Sequence, residues 1–239
     1  MDIKDSVVVI TGASSGIGAA TARAASRAGA RVVLAARRED RITALANELD
    51  GAIAVRCDVT DAAQVAALVQ AAFDEFGRID VVVNNAGQGL QATIDDIALN
   101  DFREVLELNL IAPLAVMQAV LPTMRRQKSG AIVNISSGTT FGDVPGTAGY
   151  VASKIALERL GGIARNELEG TGITVSTMIP FVTSTEFLTS IKAGRSDAEA
   201  MTAGVQFDTP EQVADAIIEL IRSGEPWADL VPAAYGGSR

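Results

Sequence analysis

Short runs of β-branched residues alternate along this chain with longer stretches whose apolar positions recur at helical spacing. Val7–Ile10, Arg31–Ala35, Ala52–Arg56, Val81–Val83, Ala131–Ile135 and Thr174–Met178 are predicted strands. Ile17–Ala28, Arg38–Glu48, Ala62–Phe76, Asn100–Arg126, Tyr150–Glu169 and Pro210–Ser223 are predicted helices, several opened by an Asp, Ser or Thr cap. Strand followed by helix, repeated, predicts right-handed βαβ units in a doubly wound α/β sheet, mainly parallel, of about seven strands with helices on both faces. No linker or repeat interrupts the alternation, so residues 1–239 are expected to form a single domain. Residues 183–208 break the pattern. They are polar, mixed and placed after the sixth strand, where ligand clefts of such sheets open, which predicts a substrate lid.

Composition removes several classes of function. A net charge of −9 is wrong for a nucleic-acid surface, and a mean hydropathy of +0.26 fits a globule better than a disordered or membrane-embedded chain. Cys57 is the only cysteine and histidine is absent, so an internal disulfide, a cysteine-rich or histidine-ligated metal site and a Ser-His-Asp triad are all excluded. No metal is expected. The first apolar run, Val7–Thr11, is too short for a signal peptide or a membrane span, and a cytoplasmic location without membrane contact is the expectation.

Candidate chemistry begins at Thr11-Gly-Ala-Ser-Ser-Gly-Ile-Gly18, which follows the first strand and opens the first helix. Gly12 permits a sharp turn, Gly16 the close approach of a pyrophosphate, and Gly18 the packing of helix on strand. Ser14, Ser15 and Ile17 complete the expected cofactor contacts at a helix N-terminus rich in free N–H groups. At the end of the second strand, where an acid would read the ribose hydroxyl of NAD, the chain has Ala36-Arg37-Arg38. Arginine forks bind a 2′-phosphate through charge-assisted bonds, so Arg37 and Arg38 predict NADP(H). The competing reading is a solvated helix start in which Arg37, Arg38 and Arg41 pair with Glu39 and Asp40. Asp58 and Val59 after the third strand, and Asn84-Asn85-Ala86-Gly87 after the fourth, stand in register along the same crevice. Asp58 is suited either to the adenine amine or to capping the next helix. The asparagine run is suited either to the adenosine or to tying neighbouring strands together.

Tyr150 and Lys154 lie four apart and share a helix face, which brings an ammonium towards a phenol. An unperturbed phenol titrates near 10, and a neighbouring ammonium favours the phenolate, which suits Tyr150 to proton relay. Ser137, just past an apolar strand, offers a second hydrogen bond to a developing alkoxide. Asn109 falls inside a helix, where asparagine is locally unfavourable, and reads either as a functional member or as a buried residue satisfied by backbone.

With these segments in hand, almost the whole chain resembles the short-chain dehydrogenase/reductase family. Its Thr-Gly-x3-Gly-x-Gly motif matches Thr11–Gly18, its Asn-Asn-Ala-Gly matches Asn84–Gly87, and its tetrad falls on Asn109, Ser137, Tyr150 and Lys154. The resemblance implies a Rossmann-like fold and hydride transfer between a nicotinamide and a carbonyl or alcohol carbon, with Tyr150 as acid/base. It implies that Asn109 holds a relay water, that Lys154 also contacts the nicotinamide ribose, and that Thr183 and Thr185 lie near the nicotinamide. A homodimer or homotetramer is implied as well, since Asn100–Arg126 and Tyr150–Glu169 resemble the family's dimer helices.

Two departures stand out. Phe181 follows Pro180 where the family commonly has glycine, and the Pro226–Pro232 ending differs from that of members resembling 3-oxoacyl-carrier-protein reductase. The pocket segments Gln88–Thr93, Gly138–Gly149 and Phe181–Met201 bring Leu90, Phe141, Val144, Phe181 and Phe187, which predicts an apolar small-molecule substrate. Lys192 and Arg195 read as a solvated lid face or, alternatively, as a site for an anionic group. A non-catalytic dinucleotide sensor is the second reading, and the intact tetrad weighs against it.

Overall fold

The computed structural model describes residues 1–202 and 204–239. Ala203 and the Met201 side chain, both in segments assigned above to lid or pocket, lie outside the described residues. Seven strands form one parallel sheet: β1 (Val7–Thr11), β2 (Arg31–Ala36), β3 (Ala52–Arg56), β4 (Val81–Asn84), β5 (Gly130–Ile135), β6 (Ile173–Ile179) and β7 (Trp227–Asp229). Their order is β3-β2-β1-β4-β5-β6-β7. The helices between them are α1 (Gly16–Arg27), α2 (Glu39–Glu48), α3 (Ala62–Phe76), α4 (Leu99–Leu106), α5 (Ala112–Gln127), α6 (Ala148–Glu167), α7 (Arg195–Met201) and α8 (Pro210–Ser223). The Rossmann-like expectation holds.

Alternate β1 residues serve opposite layers, because successive strand side chains point to opposite faces. Val8 and Ile10 join Leu34 and Val83 beneath α1 and α8, where Ile217 and Ile221 close the layer. Val7 and Val9 join Val33 and Val82 against Leu68 of α3 and Val116 and Val120 of α5. These four apolar β1 side chains are fully buried, and each contributes about 1.5–3 kcal/mol by leaving water. Burial on both faces explains why the central strands read as apolar runs without alternation.

The predicted Asn100–Arg126 helix is present as one unbroken run, Leu99–Gln127, but it is not α-helical throughout. A π-helical turn at Glu107–Ile111 separates α4 from α5 and contains Asn109. Leu99–Gln127 as a whole is long and apolar enough by composition to cross a bilayer; Val105, Val116, Val120 and Met124 are buried inside the molecule, whereas Leu99 and Ile111 are exposed. β7 was not among the predicted strands. It has three residues and begins with an exposed Trp227. The segment predicted as a lid starts and ends at a bridge between Thr183 and Asp208, reinforced by Ser184 N–H donating to the Asp208 carbonyl at 2.9 Å.

Candidate active site

β1 and β4 lie side by side while the chain continues outward from them in opposite directions, so the loops at their carboxyl ends part and leave a crevice. It holds a cleft of about 590 Å³. Lining it are Gly12, Ser14, Ser15, Gly16, Ile17, Arg37, Arg38, Asp58, Val59, Asn85, Ala86, Gly87, Ser137, Tyr150, Lys154, Thr183 and Thr185. Gly18 and Asn109, also assigned to the site, stand behind its wall.

Thr11 ties the two central loops. Its hydroxyl accepts from the Asn85 and Ala86 N–H groups at 3.0 and 3.1 Å, and Asn85 Nδ2 donates to the Thr11 and Gly12 carbonyls. Asn85 therefore both lines the cleft and fastens neighbouring strands. A Cβ at Gly18 would stand 2.5 Å from the Gly12 carbonyl oxygen and 2.6 Å from Asn85 Nδ2. Gly18→Ala is expected to lower stability by about 1–3 kcal/mol through this overpacking, read as a lower denaturant midpoint. An unchanged midpoint would show that the turn yields freely. Gly16, at φ +54°, has Thr185 directly over it: a Cβ there would meet the Thr185 methyl at 3.0 Å.

At the β2 end both predicted arginines line the cleft, in different surroundings. Arg37 is exposed at the cleft wall, whereas the Arg38 fork donates to Ser14 Oγ at 2.8 and 3.0 Å and to Ser15 Oγ at 2.7 Å. Arg38 and Arg41 pair with Glu186, not with Glu39 or Asp40 as the solvated reading required. Arg41 and Glu186 are site residues that the sequence reading missed. Arg41 was within reach of it, standing one helical turn beyond Arg38. Asp58 is not a helix cap, because its Oδ1 accepts from Thr60 and Asp61 caps α3 instead.

The other end of the cleft is built by α6 gripping the end of β5. Lys154 Nζ donates to the Ile135 carbonyl at 2.8 Å, and Ser136 Oγ donates to Glu158 Oε1 at 2.5 Å, so two side chains one helical turn apart hold consecutive residues of the strand. Ser137 follows at once, its hydroxyl 2.9 Å from Thr139 Oγ1. Asn109 is fully buried. It accepts from Gln88 N–H, donates to the Gln88 carbonyl, both at 2.9 Å, and donates to Ser153 Oγ at 3.0 Å. Ser153 in turn donates to the Tyr150 carbonyl. The side chain thus fastens the loop after β4 to the helix that carries Tyr150 and Lys154. Asn109 Oδ1 and Lys154 Nζ flank Gly87, 3.2 and 3.4 Å from where its Cβ would be. A π-turn is a common device for aiming a helical side chain at a functional site.

Tyr150 and Lys154 are 9% and 4% exposed. Burial pushes the Tyr150 phenol up to about 12, opposed by the Ser137 hydroxyl. Burial pushes the Lys154 ammonium down to about 8, opposed by the Glu158 carboxylate. The expectation that the ammonium lowers the phenol is corrected for the protein alone. Nζ stands 5.8 Å from the ring centroid and is committed to a carbonyl, so loss of water outweighs its field.

The bulky Phe181 is accommodated by an aromatic partner from the tail, with ring centroids of Phe181 and Tyr235 5.1 Å apart. Phe187 stands 5.8 Å from the Tyr150 ring, and Leu90, Val144 and Ile191 add apolar wall, whereas Phe141 does not line the cleft. Neither lid cation is free. Lys192 pairs with Glu104 at 2.5 Å and lies 3.8 Å from Asp101, and Arg195 pairs with Glu199.

Comparison with known proteins agrees with this architecture. Residues 6–196 match the family model described as short chain dehydrogenase. An uncharacterised oxidoreductase of Staphylococcus epidermidis is 35% identical over 218 residues, 90% of each chain, and one of Staphylococcus saprophyticus is 39% identical over 77% of each. A short-chain dehydrogenase/reductase from Burkholderia phymatum, solved in complex with NAD, superposes with a TM-score of 0.90 at 26% identity, covering 99% of this chain and 92% of that one. A 3-ketoacyl-(acyl-carrier-protein) reductase from Brucella melitensis, complexed with NADH, gives 0.86 at 26% identity over 95% and 97%. A family match over most of the chain, on a parallel seven-stranded sheet with its crevice at the β1/β4 divide, makes this protein a member of the short-chain dehydrogenase/reductase family of oxidoreductases.

Proposed function

We propose that this protein is an NADP(H)-dependent oxidoreductase interconverting an apolar ketone or aldehyde with its alcohol, with Tyr150 moving the proton. The observation that carries the reading is one cleft with a buried phenol, a hydroxyl and a buried ammonium at one end and a glycine turn with arginines at the other.

The residues fit a dinucleotide. Gly16 presents bare backbone, Ser15 makes no side-chain cap on α1 and so leaves first-turn N–H groups for a pyrophosphate, and Arg38 stands over both serines of the turn. The two solved relatives carry NAD and NADH, but β2 in this chain ends in Ala36 followed by two arginines, with no acid at the position that would read the ribose hydroxyl, which favours a 2′-phosphate. When bound, the nicotinamide supplies hydride to the substrate carbon or accepts it.

The chain's own side chains manage the oxygen. In reduction the neutral Tyr150 phenol donates its proton to the carbonyl oxygen, and Ser137 donates a second hydrogen bond to the charge that develops there. In oxidation Tyr150 takes the proton back. Lys154 keeps a positive charge beside the phenol and stabilises its ionised form, while Asn109 holds the loop and helix in register. Apolar walls from Leu90, Phe181 and Phe187, with the lid cations already paired, favour an uncharged substrate.

The test is binding of NADPH and NADH, followed by loss of reduced-nicotinamide absorbance against ketones, aldehydes and quinones. NADPH is expected to bind more tightly, and Arg38→Ala to weaken NADPH by about tenfold, as loss of a charge-assisted bond predicts, while barely touching NADH. Equal loss for both would remove Arg38 from 2′-phosphate recognition. Absence of turnover on every class would count against catalysis.

A further inference from the structure

Glu186 lies inside the lid, 148 residues from Arg38 in sequence, yet its carboxylate occupies the arginine site. Arg38 Nη1 donates to Oε2 at 2.9 Å, and Arg41 Nη1 donates to Oε1 and Oε2 at 2.9 and 2.8 Å. The rest of the Arg38 fork is spent on Ser14 and Ser15. The Glu186 carboxylate, held by two guanidinium groups beside the hydroxyls of the glycine turn, takes the place and the donors that the oxygens of a phosphate monoester would use there. The two arginines hold the Glu186 carboxyl below the usual carboxylate range, so the lid presents a full negative charge at neutral pH.

We propose that Glu186 is a specificity-determining residue that competes with the cofactor's 2′-phosphate for Arg38 and Arg41. The inference rests on the NADP(H) reading and deepens it. A 2′-phosphate exchanges with the carboxylate at the two arginines, because a dianion beside Glu186 is repelled unless the lid residue withdraws. A ribose 2′-hydroxyl has no charge to offer, so it leaves the pairing in place. Part of the attraction between phosphate and arginines is therefore spent on detaching the lid from α2. The consequence is a narrower preference for NADP(H) over NAD(H) than the arginines alone would produce.

The lid has a second tie, Lys192 to Glu104 and Asp101 of α4, so releasing Glu186 frees the lid on its cofactor side only. Thr185, adjacent to Glu186, lies over Gly16, which places the released stretch directly above the expected pyrophosphate site.

Calorimetry on the full chain with 2′,5′-ADP and 5′-AMP isolates the effect, since the two probes differ by the 2′-phosphate alone. Glu186→Gln, a change at an exposed side chain, is expected to tighten 2′,5′-ADP about fivefold, the upper end of what an exposed ion pair contributes, and to leave 5′-AMP unchanged. Unchanged or weaker 2′,5′-ADP binding would overturn the competition, as would equal tightening of both probes. The underlying reading fails separately: if the wild-type chain binds the two probes alike and Arg38→Ala alters neither, the 2′-phosphate site itself is absent and the proposal falls with it.

Discussion

Tyr150→Phe is expected to bind NADPH as the wild-type protein does and to lose about three orders of magnitude in turnover, within the range that general acid–base catalysis supplies. The ring of Tyr150 is part of the packing, standing 5.8 Å from Phe187 in the cluster of Leu90 and Val105, and phenylalanine preserves that surface. Only the hydroxyl is lost. Ser137 then remains as a hydrogen-bond donor with no proton to give up, because its hydroxyl stays a hydroxyl throughout. Binding titrations with NADPH and single-turnover absorbance separate the two effects. Retained turnover would mean that the proton reaches the substrate oxygen by another route and would sink the assigned role.

Lys154→Met is expected to make the protein more stable and at the same time nearly inactive. In the folded chain the ammonium titrates at about 8 against 10.5 when unperturbed, because burial disfavours its charge. Below pH 8 both folded and unfolded states carry the proton, and the burial penalty on the folded state is complete. Between about 8 and 10.5 the folded state releases the proton first while the unfolded state still holds it, so stability rises with pH through this window and the penalty is gone above it. The displacement corresponds to roughly 3 kcal/mol, from which leaving the buried Ile135 carbonyl without its partner takes about 1–3 kcal/mol, so the gain at pH 7 is expected to reach about 2 kcal/mol at most. Urea midpoints at pH 7 and pH 10.5 check both sign and window. The gain should vanish or reverse at the higher pH, and a variant less stable than wild type at pH 7 would show that the bond to Ile135 outweighs desolvation. Tyr150 has the opposite sign at more alkaline pH, losing stability between 10 and about 12, but it is common to both proteins.

Both effects come from residues that were legible before any coordinates, and the reason is local. Tyr150 and Lys154 sit on one helix, Ser137 at a strand end, and the glycine turn between a strand and a helix, so periodicity alone brings them to the same edge of the sheet. Other features depend on information that periodicity lacks. The π-turn keeps the apolar spacing of its flanks, so only a buried asparagine hinted at it. Arg37 and Arg38 are adjacent on non-helical backbone, where sequence does not say which side chain faces the turn. Glu186 reaches Arg38 and Arg41 across 148 and 145 residues of sequence, and β7 is too short to show a pattern. Phe181, one of the two departures from the family pattern, packs against Tyr235, which lies beyond the other at Pro226–Pro232, a contact that sequence spacing does not reveal.

The bridge between Thr183 and Asp208 closes the base of the intervening segment, while Thr185 and Glu186 inside it stand against the glycine turn and its arginines. Phe187, which stands against the Tyr150 ring, and Glu186, which pairs with Arg38 and Arg41, are consecutive residues of that segment. Under the proposed function, a change of backbone at Phe187 that reshapes the substrate pocket also displaces Glu186, so substrate fit and dinucleotide preference are expected to move together.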